Sequence, residues 1–106
     1  MAWILVIVAG LFEVVWAYFM KQSDGFTKTV PTLITFAAMA ASFWLLSLSM
    51  KTLPLGTAYA VWTGVGAVGA FLVGIMLLGE QVSVLRVLAA AMIVSGLVLM
   101  KLSSPQ

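Results

Sequence analysis

The chain has 106 residues, of which 64% are hydrophobic and only 8% charged, and its net charge is +2. A soluble domain carries about 25% charged residues, so this composition excludes one and describes an integral membrane protein. The few charges are too scattered for nucleic-acid binding, and the absence of cysteine and histidine excludes disulfides, thiolate chemistry and His-based metal sites.

Four apolar runs follow one another, and they predict helices over about 2–20, 31–50, 57–78 and 84–102. We expect one four-helix transmembrane domain over 1–106, with no room for a soluble domain beside its spans. The first run is too long for a signal peptide, lacks a basic leading region and is interrupted by a glutamate. It ends at Lys21, and Ser23-Asp24-Gly25 supplies turn chemistry. Thr29 is the expected cap of the second span, with Pro31 in its first turn. Pro54 and Gly56 break the next connection, Gly79 stops the third span, and Ser83 is placed to cap the fourth. Connections this short predict that helices consecutive in the chain are antiparallel neighbours.

Glu13 is the focus of the first span. It lies roughly 15 Å from Trp3 along a helix, near the bilayer midplane. A carboxylate there costs at least ~2.5 kcal/mol and should face a partner or a wet cavity. It is the only acid within a span, since Asp24 and Glu80 fall in connections. Its helical neighbours Ala9, Gly10, Trp16 and Ala17 are three small residues and one large ring. The small ones open room beside the acid and equally let helices approach.

In the second span Ser42 is the one hydroxyl near mid-depth. It can bond back to a carbonyl of its own helix or donate to Glu13, and the sequence does not choose. In the third, Tyr59, Trp62, Thr63 and Gly66 recur at i, i+3, i+4 and i+7 and share one face. The stretch from Gly64 to Ala70 is so poor in side chains that it can bend, or pack tightly against another helix. The fourth carries Ala89, Ser95 and Gly96 and no charge between Arg86 and Lys101, which makes it a packing helix and the expected dimer contact. Lysine and arginine divide three against two between the two sides: Lys21, Lys28 and Arg86 against Lys51 and Lys101. So even a count gives almost no orientation by the positive-inside rule.

Four short spans, a lone mid-helix glutamate and Gly-Thr-Ala-Tyr-Ala-Val-Trp-Thr-Gly-Val-Gly-Ala-Val-Gly over Gly56 to Gly69 resemble the small multidrug resistance transporters along essentially the whole chain. Within that family Leu11-Phe12-Glu13-Val14-Val15-Trp16, with Ser42 and the Tyr59/Trp62 pair, is similar to the guanidinium-exporter branch and its clostridial members. The resemblance implies an all-α antiparallel, dual-topology homodimer in the bacterial inner (plasma) membrane. It implies exchange of a cation for protons at Glu13, with Trp16, Ser42, Tyr59 and Trp62 orienting that carboxylate. Gly10, Thr63, Gly64 and Gly66 are then expected to line the pocket or let the helix flex, and no cofactor or metal is implied. Guanidinium, protons, lipid and a second copy are the expected partners, and two Glu13 in one pocket would titrate as a coupled pair. Export of quaternary ammonium or other lipophilic cations is the alternative within the class. A non-transporting assembly subunit is the alternative outside it.

Overall fold

The computed structural model describes residues 1–103, which form four α-helices: α1 (Ala2–Gln22), α2 (Thr29–Ser49), α3 (Leu55–Leu78) and α4 (Val84–Ser103). All four are long and apolar enough to cross a membrane. Twenty residues rise about 30 Å, the thickness of a hydrocarbon core. Large apolar side chains such as Ile4, Leu11, Phe36, Leu72 and Met92 point outward. Helices apolar all round suit lipid on their outer faces and protein on their inner ones.

The helix ends have local causes. Thr29 is the first residue of α2 rather than its cap. Lys28 holds the cap position with extended backbone, and the Thr32 hydroxyl closes the turn by donating to the Lys28 carbonyl at 2.6 Å. α3 begins at Leu55, two residues ahead of the expected Thr57, because Pro54 provides the cap with φ −59° and ψ 151°. Its far end is at Gly79, left-handed at φ 68°, and the Glu80 amide turns back to the Gly74 carbonyl at 3.0 Å. Glycine takes that conformation without steric cost. Ser83 accepts the Arg86 amide at 3.2 Å, the N-cap pattern for α4.

The connection between α1 and α2 is more demanding. Asp24, Gly25 and Phe26 are successively left-handed, at φ 51°, 73° and 66°, and each of the two non-glycine residues costs ~1–2 kcal/mol there. Ser23 holds the turn, wholly buried. It donates to the Met20 carbonyl at 2.6 Å and accepts the Phe26 amide at 3.0 Å. The Phe26 ring stacks on Phe36 of α2, 5.6 Å between centroids.

In space the order is α2, α1, α3, α4, so chain neighbours are not always spatial ones. α1 packs on both α2 and α3, whereas the α2 and α3 backbones barely approach and the α4 backbone approaches only that of α3, with Lys101 reaching over the Trp3 ring of α1 at 4.8 Å. The expected α2–α3 neighbourhood is made by side chains alone, Trp62 meeting Ser42 and Phe43, because α1 offers small residues on two faces, Ala9 toward α2 and Gly10 toward α3. The result is a slab of 44 × 35 × 16 Å. Its core is Val6, Ala9, Leu46, Leu53, Ala58, Val61 and Trp62; no residue of α4 is buried.

Candidate functional site

The seam between α1 and α3 is built on glycine notches. A methyl group on Gly10 would stand 2.7 Å from the Val65 Cβ and 3.3 Å from the Trp62 carbonyl. One on Gly69 would overlap the Val14 Cγ2, and one on Gly66 would overlap the Glu13 Oε1. Glu13 therefore seats its carboxylate directly against the α3 backbone, in a notch that only glycine leaves open. Its Oε1 is buried and accepts no hydrogen bond from any described residue. A polar atom in that condition costs free energy until a donor or a proton reaches it.

Beside this notch runs a short relay. The Trp62 indole N–H donates to the Ser42 Oγ at 2.9 Å, and the Ser42 hydroxyl donates to the Ala9 carbonyl at 2.7 Å. Ser42 thus takes neither of the two partners weighed from sequence. The Ala9 side chain, fully buried, is small enough to let the hydroxyl reach the α1 backbone. In a regular helix the Ala9 carbonyl also accepts the Glu13 amide, so the relay braces the turn that carries Glu13 and leaves the carboxylate free.

Four rings extend from this point. Trp16 lies 6.3 Å from Phe43, Phe43 lies 5.8 Å from Trp62, and Trp62 lies 5.6 Å from Tyr59. Phe43 is the member that sequence reasoning passed over; its only signal is adjacency to Ser42. The Trp16 Nε1 is buried without a partner among the described residues. The face shared by Tyr59, Trp62, Thr63 and Gly66 divides. Trp62 and Gly66 are buried, while Tyr59 and Thr63 are exposed, because α1 covers only one edge of the stripe. Gly64 faces α4, where a methyl would meet the Leu97 Cδ2 at 2.7 Å. On α4 itself Ala89, Ser95 and Gly96 are exposed, Ser95 donates back to the Ala91 carbonyl at 2.8 Å, and a methyl on Gly96 would meet nothing within 4 Å.

The relay makes a measurable prediction. Ser42→Ala strands the Trp62 indole N–H in a buried place, a loss of ~1–3 kcal/mol in stability. Adding Trp62→Phe removes the stranded donor, so the double variant should lose less than the sum of the two single variants. Unfolding of all three variants in detergent checks this; strict additivity would mean that the two groups do not interact.

Among the described residues no group of histidine, cysteine, aspartate and glutamate side chains is arranged to hold a metal ion. What the site offers is a carboxylate oxygen with unused acceptor capacity, ring faces one helical turn away, and a rigid backbone behind it. Such a site can take a proton, or the N–H groups of a small organic cation, on the same oxygens.

Over residues 1–103 the chain matches the family model described as Small Multidrug Resistance protein. Its relatives include a guanidinium exporter of Yersinia pseudotuberculosis, 54% identical over 104 residues that cover 98% of this chain and 100% of that one. Proteins of the same description from Citrobacter freundii and Salmonella typhimurium are each 55% identical over 104 residues, covering 98% of this chain and 99% of theirs.

Proposed function

Because the chain belongs to the small multidrug resistance family of membrane transporters, and is a transporter rather than an enzyme, we propose that it exports guanidinium and small substituted guanidinium ions in exchange for protons. The observation that carries this reading is the Glu13 Oε1, buried in the Gly66 notch with no donor from the described chain. Guanidinium is planar, cationic and rich in donors, and a carboxylate receives it through two parallel N–H···O bonds. The faces of Trp16 and Trp62 favour a cation by ~2 kcal/mol or more where water is excluded. Protons and cation then compete for one group, and that exclusion couples their movements.

Several features support an antiparallel homodimer in the bacterial plasma membrane, inserted both ways round. Lysine and arginine are divided almost evenly between the two sides. α4 packs its backbone against α3 alone and has no buried residue. In a dimer of inverted copies the two chains together supply the inverted-repeat symmetry that larger transporters hold in one. A C-terminal tag should be reachable from both faces of the membrane; access from one face alone would overturn dual insertion.

The function itself is tested with the purified chain in liposomes and no other protein present. A guanidinium gradient should drive proton movement, and bulky quaternary ammonium ions should do so far less well. Equal handling of both ions would favour the multidrug alternative. No substrate-driven proton movement would overturn transport at Glu13 and favour an assembly subunit.

A further inference from the structure

A second carboxylate uses a second glycine notch on α3. A methyl group on the buried Gly74 would stand 2.5 Å from the Glu80 Oε1 and 2.7 Å from its Cδ, so the Glu80 side chain folds back over the helix it has just left. Its amide is fixed there too, by the 3.0 Å bond to the Gly74 carbonyl. From Gly66 to Gly74 the rise along α3 is about 12 Å, which carries the seam from the level of Glu13 to the end of the span.

Between these two levels lies a cavity of about 120 Å³. Val14, Ala17, Tyr18 and Lys21 line it from α1, and Gly74 and Glu80 from the other side. Val14 follows Glu13 directly and fills the Gly69 notch, so the cavity begins where the Glu13 site ends. Its volume is several times the ~30 Å³ of one water, enough for a planar cation of four heavy atoms. Its charged groups are one carboxylate, from Glu80, and one ammonium, from Lys21, at the water-facing end of two spans.

We propose that this cavity is a second binding station for the transported cation, in which Glu80 is the ligand and Lys21 the counter-charge that keeps its stay short. Glu80 raises the local concentration of cations at the mouth of the α1–α3 seam, and Lys21 opposes it from the same walls. Gly74 leaves room for the Glu80 carboxylate to lie back over α3 while the residue stays exposed at the mouth. The inference rests on the reading that guanidinium is the transported ion.

Guanidinium transport by the full chain in proteoliposomes tests it, with Glu80→Gln and Lys21→Gln compared at low and high salt. Glu80→Gln keeps the backbone amide that caps α3, so a merely structural role would leave transport unchanged. At low salt, KM should rise roughly two- to fivefold in Glu80→Gln and fall by a similar factor in Lys21→Gln, with maximal turnover little altered. Both shifts should shrink as salt screens the charges. Gly74→Ala, which pushes the carboxylate off its seat, should follow Glu80→Gln. Unchanged KM in Glu80→Gln, shifts of the same sign in both charge variants, or shifts undiminished by salt would each overturn the station. If those results come with normal transport by the unsubstituted chain, only this inference fails. If the unsubstituted chain moves no guanidinium, the function proposed above fails and takes the station with it.

Discussion

Glu13→Gln should abolish guanidinium-driven proton movement and bring guanidinium binding below what a transport assay detects. Glutamine keeps the size of the side chain in the Gly66 notch, so the seam stays closed and the fold persists. It removes the charge and, with it, two charge-assisted hydrogen bonds of ~1.5–3 kcal/mol each. Affinity should fall roughly 10²- to 10⁴-fold, beyond what a transport assay resolves. The unsubstituted protein should bind guanidinium more weakly as pH falls, because protons occupy the same oxygens; above the range of that competition the affinity should level off. In Glu13→Gln no pH dependence should remain. Binding is measured by calorimetry across pH and proton flux in liposomes. Coupled transport surviving in Glu13→Gln would remove the carboxylate from the mechanism.

Gly66→Ala should act in the same direction from the opposite helix, less strongly. The added methyl overlaps the Glu13 Oε1, so either the carboxylate leaves its notch or the seam widens. Overfilling a close contact costs ~1–3 kcal/mol, which corresponds to roughly a 5- to 150-fold loss of affinity. Gly56→Ala is the control. It lies in the first turn of the same helix, and a methyl there meets nothing within 4 Å. That change should be neutral, or stabilising by ~0.4–1 kcal/mol through the unfolded chain. In a Glu13→Gln background, Gly66→Ala should add no further loss of transport, since the group it displaces has already lost its role. Unaltered guanidinium affinity in Gly66→Ala alone would show that the notch does not hold the working position of Glu13.

The contrast between these two residues shows what the sequence displays and what it hides. A single charge in an apolar run of about twenty residues stands out by its cost alone, so Glu13 could be singled out before any fold was known. Periodicity put Gly66 on the face of Trp62 but named no partner for it, for Gly64 or for Gly69; the three face Glu13, Leu97 and Val14 respectively. The partner of Ser42 was hidden for a different reason: it is a backbone carbonyl, and every residue has one. Phe43 was invisible because an aromatic ring is ordinary in a membrane helix. The four spans followed from length and apolarity, but their spatial order did not. In a soluble bundle the apolar stripe tells which face is inward, whereas helices that are apolar all round carry no such mark. The helix starts differed where one residue decided them, Lys28 for α2 and Pro54 for α3.

The placement of α1 between α2 and α3 bears on how the chain comes together. Each helix that leaves the ribosome finds its docking surface already in the membrane: α2 closes on α1, α3 takes the other side of α1, and α4 joins α3. No helix has to wait for a later one or displace an earlier one, so assembly can keep pace with synthesis from the N-terminus onward. The order of emergence and the order of docking coincide even though the order in space does not. The last helix to arrive is also the one left with no buried residue, so its outer face stays open after the four helices have docked.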